Sequence, residues 1–153
     1  MRRRRGRGKL LWIGGLIVVL FFYLISSFLM GSERKARLVV EEFYEYESNG
    51  DYGRSWELLH TEIQERFNRG AYVQDRAHVF NGHFGADTFS YEVSGGKEWK
   101  DWRMVKGGDP FAQVYEFQVK QNYHGKYGHF VFVQYVYVLL EDGEWRIVWD
   151  YKK

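Results

Sequence analysis

Proton transfer inside a protein needs a carboxyl or imidazole whose pKa an apolar pocket has moved toward neutrality. The nearest material here is Asp75 and His78, three residues apart and able to share one face of a helix, with Asp87 further along. His83 lies five residues beyond His78, a rotation of about 140° on an ideal α-helix, so those two imidazoles are expected to face apart. That spacing suits a shared metal poorly, because a helix presents metal-binding pairs at i,i+4. His124 and His129 flank a turn and bring no further ligand for zinc. The 153 residues contain no cysteine, which removes disulfides, thiol nucleophiles and cysteine metal sites together. Gly95-Gly96 and Gly107-Gly108 lead into no helix, so neither makes a phosphate cradle. No catalytic group, metal or cofactor is assigned. Asp75 and His78 read first as an exposed pair or a helix cap.

What holds these residues in place begins with a membrane segment. Residues 10–30 contain no charge and no proline. At about 1.5 Å per residue they make a helix of about 30 Å, the thickness of a bilayer's hydrocarbon core. Arg2, Arg3, Arg4, Arg5, Arg7 and Lys9 precede the segment and carry more positive charge than the whole chain's net +2. The remainder is therefore acidic on balance, which is unsuited to nucleic acid. The basic leader puts residues 1–9 in the cytoplasm, the span at 10–31 and a domain at 32–153 outside. The partner of the span is the lipid bilayer, to which its basic flank adds attraction. A cleaved signal peptide is the rival reading, but the apolar run is too long and no small-x-small site follows it.

The domain has room for one core, and 20% of the chain is aromatic. Leu38, Val39, Phe43 and Tyr46 recur near helical spacing, with Tyr44 and Glu47 beside them and Glu41, Glu42 and Glu45 on a wet face. Gly50 suits a left-handed cap. A second helix is expected over 52–67, with Trp56, Leu59, Ile63 and Phe67 on one stripe, and a third over 71–84. The period then changes to two. Strands are expected over 88–93 and 98–106 around a turn at 94–97, then over 115–123, where apolar and polar residues alternate. Residues 130–140 are nearly all apolar and read as a central strand covered on both faces. Asp142-Gly143 signals a hairpin into a closing strand ending near Tyr151. Three helices on a curved antiparallel sheet make an α+β domain.

Several phrases carry a resemblance. Phe43, Tyr44, Asn49, Gly50, Asp51, Tyr52 and Trp56 form a helix–turn–helix phrase, and Gly143, Trp145 and Ile147 a closing Gly-x-Trp-x-Ile. Together with the element order, they resemble the NTF2-like superfamily, also called the cystatin-like or SnoaL-like cone, over residues 36–153. With its single span, the chain is similar in plan to small anchored proteins of Gram-positive bacteria and to anchored scaffold subunits of secretion machines. The resemblance implies a cone interior lined by Trp56, Tyr72, Phe80, Tyr115, Phe117, Tyr135 and Trp149, rings that can equally fill a core. It also implies that an enzyme of the ketosteroid isomerase or dehydratase type would draw on Asp75 and His78 inside a cavity. The fold alone is silent on activity. The reading favoured here is a non-catalytic interaction or assembly module of the cell membrane. Its contact face is expected as an exposed patch of Val131, Val133, Tyr135 and Tyr137, serving a homodimer or another envelope protein. Small-molecule binding in the cone is the alternative.

Overall fold

The computed structural model describes residues 31–86 and 88–152. The basic leader and all of the expected span but Gly31 lie outside them, and so does Asp87. No helix among the described residues is long and apolar enough to cross a membrane.

The described domain is α+β: four α-helices and one π-helical segment precede a curved four-stranded antiparallel sheet. The elements are α1 (Ser32–Ser48), α2 (Tyr52–Glu57), α3 (Thr61–Arg66), α4 (Arg69–Ala77) and the π-helical segment His78–Phe84. The strands are β1 (Phe89–Trp102), β2 (Phe111–Gly125), β3 (Gly128–Glu141) and β4 (Glu144–Val148), and they lie in sequence order across the sheet.

Helix α1 buries Ala36, Val40, Phe43, Tyr44 and Glu47, a stripe at helical spacing. Leu38, expected on that stripe, is exposed. The chain turns out of α1 at Gly50, whose φ of 74° is open to glycine at no steric cost. The single helix expected over 52–67 is two. Leu59 forms a bridge with Ile147, in which His60 N–H donates to the Ile147 carbonyl at 2.9 Å and Ile147 N–H to the Leu58 carbonyl at 2.9 Å. The helix restarts on His60, whose Nδ1 accepts from Glu62 N–H at 3.2 Å. The imidazole therefore carries its proton on Nε2, which faces the Glu141 carboxylate at 3.2 Å.

In the sheet, the turn expected at 94–97 is a bulge. β1 runs on through it, and the register with β2 shifts between Gly95 and Lys97. Strand β2 alternates as expected, burying Tyr115, Phe117, Val119, Gln121 and Tyr123. Register places these beside Val138, Val136, Gln134, Phe132 and Phe130 of β3 on the face toward the helices, where the Tyr44 hydroxyl donates to Gln134 Oε1 at 3.0 Å. The Asp142-Gly143 hairpin forms with both residues at positive φ, 49° and 87°.

The strand expected to be covered on both faces divides into two halves. Val136, Tyr137, Val138 and Leu139 are buried, whereas Val131, Val133 and Tyr135 are 41%, 54% and 52% exposed. The division falls where β4 begins to pair, from Tyr137 to Glu141, and where the Trp102 ring stacks on Tyr137.

Candidate functional site

Two places in the domain gather chemistry: a buried polar cluster under the helices and the uncovered half of β3.

The cluster is built on Glu47. Its Oε1 accepts from the Tyr72 hydroxyl at 2.8 Å and from Ser55 Oγ. Its Oε2 accepts from Arg76 Nε at 2.7 Å and from Arg76 Nη2. The Glu47 side chain is wholly buried and that of Arg76 a quarter exposed. Three elements meet here: α1 supplies the carboxylate, α2 Ser55, and α4 both Tyr72 and Arg76. Burial opposes charge on Arg76, but the Glu47 carboxylate, with Tyr72 and Tyr44 adding to it, holds the guanidinium pKa above its ordinary value. Burial raises the Tyr72 and Tyr44 hydroxyls far above the usual tyrosine range, so both stay protonated. A carboxylate that accepts four hydrogen bonds has its acceptor capacity filled by the protein. Glu47 is a strut, not a base.

Two spaces open from the cluster. One, of about 360 Å³, runs between the π-helical segment and β3 and is lined by Arg76, Val79, Phe80, Phe132, Val133 and Gln134 among others. The other, of about 180 Å³, is lined by Phe67, Tyr72, Asp75, Arg76 and Trp149. The buried indole N–H of Trp149 has no hydrogen-bond partner among the described residues. A larger open groove between α1 and β1, about 570 Å³ and lined by Glu41, Glu42 and Glu45, lies away from both.

The rings expected to line a cone are dispersed. Tyr72 and Trp149 share the smaller pocket and Phe80 borders the larger. Trp56 is half-buried with its indole N–H donating to the Phe67 carbonyl at 2.7 Å. Tyr115 and Phe117 fill the core of the sheet. Tyr135 does not line the interior: its side chain shares the outer face with Gln118, whose Nε2 donates to its hydroxyl at 3.0 Å.

Asp75 is exposed at the pocket's edge, and His78 is exposed too. No hydrogen bond or ion pair joins them among the described residues; His78 pairs with His83 instead, Nε2 to Nε2 at 2.9 Å. The expectation that these imidazoles face apart is corrected here. A π-helical turn takes up more residues than an α-turn, so positions five apart come together. Among the described residues no group of three or more histidine or acidic side chains is placed to hold a metal.

On the outer face of the sheet, register aligns Val131 with Asn122, Val133 with Lys120 and Tyr135 with Gln118. The next strand adds Ser90, Glu92 and Ser94. Polarity thus rises away from β3, leaving Val131, Val133 and Tyr135 as an apolar stripe at the sheet's margin. Tyr137, expected in this patch, is only 8% exposed. Trp102 stacks on it at 4.5 Å between ring centres. Among the described residues no strand lies beside the outer edge from Val131 to Val136. The sheet's opposite edge is guarded: Arg37 donates to the Val93 carbonyl at 3.0 Å and the Gly95 carbonyl at 2.7 Å beside the bulge.

The pairing of Glu47 with Arg76 is what residue reading missed. Helical spacing sets Glu47 on the stripe of Val40, Phe43 and Tyr44, apart from Glu41, Glu42 and Glu45, but nothing local names Arg76 as its partner. No protein-family model matches the chain, and no curated protein matches it in sequence.

Proposed function

We propose that this chain is a membrane-anchored, NTF2-like assembly module. Its span is residues 10–31, its domain lies outside the membrane, and it joins a second copy of itself along β3. The apolar stripe of Val131, Val133 and Tyr135 beside an open strand edge carries this reading. A strand edge with unpaired backbone groups is a template for another strand, and proteins ordinarily blunt it with charge or cover. The opposite edge has such a guard and this one has none among the described residues.

The second copy is the occupant that the strand itself favours. No charged residue occurs between Phe130 and Val136. An antiparallel two-fold pairing centred on Val133 sets Val131 against Tyr135 of the other copy and Val133 against its own counterpart, so the surface is self-complementary. Tethering both copies to one membrane raises their effective concentration, so a modest edge-to-edge interface suffices. Catalysis has less support, since Glu47 is fully bonded and Asp75 and His78 stand apart on the surface.

The test is charge on the stripe. Val133→Lys in the full-length chain should convert the dimer to monomer in chemical cross-linking of membranes, with the unfolding midpoint of the extracted protein unchanged. Unaltered cross-linking would sink the proposal.

A further inference from the structure

The two histidines of the π-helical segment stand in the relation that two ligands of one metal ion require. An α-helix presents such pairs at i,i+4, and the wider π-turn does the same for His78 and His83 at i,i+5. Their Nε2 atoms are 2.9 Å apart. Metal–imidazole bonds of about 2.05 Å set two nitrogens about 2.9 Å apart when they meet at about 90°, and about 3.3 Å apart at the tetrahedral angle. The tilt of the rings points the same way. A straight N–H···N bond would hold the ring centres about 5 Å apart, each roughly 1.1 Å behind its nitrogen. They are 4.6 Å apart with the ring planes at 86°, and two ligands meeting one ion at about 90° would have centres about 4.5 Å apart.

We propose that His78 and His83 chelate copper(II) through their Nε2 atoms. An angle of about 90° suits the tetragonal geometry of copper(II) over tetrahedral zinc, and affinity among the first-row divalent ions peaks at copper. In the present contact one Nε2–H donates to the other Nε2. On binding, that proton moves to Nδ1 of its own ring, and both Nε2 lone pairs then face the ion. No third histidine or acidic ligand stands with the pair among the described residues, so water completes the coordination. The turn itself is held from outside: Lys126 Nζ donates to the Gly82 carbonyl at 3.2 Å, and Gly85 ends the segment at a φ of 58°. Both imidazoles are exposed, so an ion reaches them from solvent. The site shares no residue with the β3 stripe and stands whether or not the chain dimerises.

The probe is copper(II) sulfate, titrated into the full-length chain in an uncharged maltoside detergent, purified without a histidine tag. One tightly bound equivalent is expected, with the superhyperfine pattern of two equatorial nitrogens in its electron paramagnetic resonance spectrum. His83→Ala should weaken that binding about a hundredfold, because the second imidazole of a chelate binds intramolecularly. His83 is exposed, so the circular dichroism should not change. The other histidine pair, His124 and His129, has ring centres 4.8 Å apart but no hydrogen bond between them among the described residues. His124→Ala should therefore bind copper as the wild type does. Wild-type affinity in His83→Ala, an equal loss in His124→Ala, or no saturable binding up to about 1 mM copper would each overturn the proposal.

Discussion

Glu47 decides how the helical layer is held. Its four donors come from α2 and α4, so removing the carboxylate leaves Arg76 and the Tyr72 hydroxyl short of a partner at once, while Ser55 Oγ keeps the Tyr52 carbonyl at 3.1 Å. Glu47→Ala should lower stability by about 3–5 kcal/mol, read as a fall in denaturant midpoint with an unchanged slope. The tyrosines around it give the domain an alkaline limit. Burial raises Tyr44, Tyr72 and Tyr123 well above the ordinary value of 10.0. Burial, with Glu45 adding to it, pushes Tyr91 up to about 12. The folded state holds these protons more tightly than the unfolded state, so stability is full below pH 10 and falls as pH rises beyond it. Thermal midpoints should drop steeply above pH 10, with tyrosinate absorbance from Tyr44 and Tyr72 appearing only on unfolding. At this scale the sequence was least informative. Arg76 is 29 residues from Glu47, and the His78–His83 contact depends on a π-turn that no residue pattern announces.

Between elements, the helix and strand periods told most of the story and tertiary contacts supplied the exceptions. Alternation along β2 and the Asp142-Gly143 hairpin were legible because side-chain period and positive φ are local properties. The break between α2 and α3 was not, because no glycine or proline marks Leu58, Leu59 or His60; a bridge to Ile147, far along the chain, interrupts the helix. Gly95-Gly96 signalled a departure from regular structure without saying which kind. A glycine pair serves a bulge and a tight hairpin turn alike, since both can use positive φ, and Gly95 and Gly96 have φ of 89° and 124°. A Cβ on Gly95 would lie 3.3 Å from the Glu116 carbonyl oxygen. Gly95→Ala should therefore cost about 1–3 kcal/mol, measured as a lowered thermal midpoint. It should also loosen the Arg37 contacts that close this edge of the sheet.

For the whole molecule, the proposed function joins a membrane tether at residues 10–31 to an adhesive strand. The tether predicts that the full-length chain stays with membranes through alkaline carbonate washing, and that removing residues 1–31 releases it. The adhesive stripe was half legible: the apolar run over 130–140 was plain, but its division depended on tertiary contacts. β4 pairs only from Tyr137 onward and Trp102 stacks on Tyr137, while Val131, Val133 and Tyr135 stay exposed. The absence of native cysteine permits a direct test. Antiparallel partners have Cα atoms about 4.5–5.5 Å apart, within disulfide reach. In membranes, oxidised and run without reductant, Val133→Cys alone should give a covalent dimer, and so should Val131→Cys combined with Tyr135→Cys, which the two-fold register sets opposite each other. Glu92→Cys, on the same face but two strands away, should give little. Monomer from both β3 variants would contradict self-assembly along this strand.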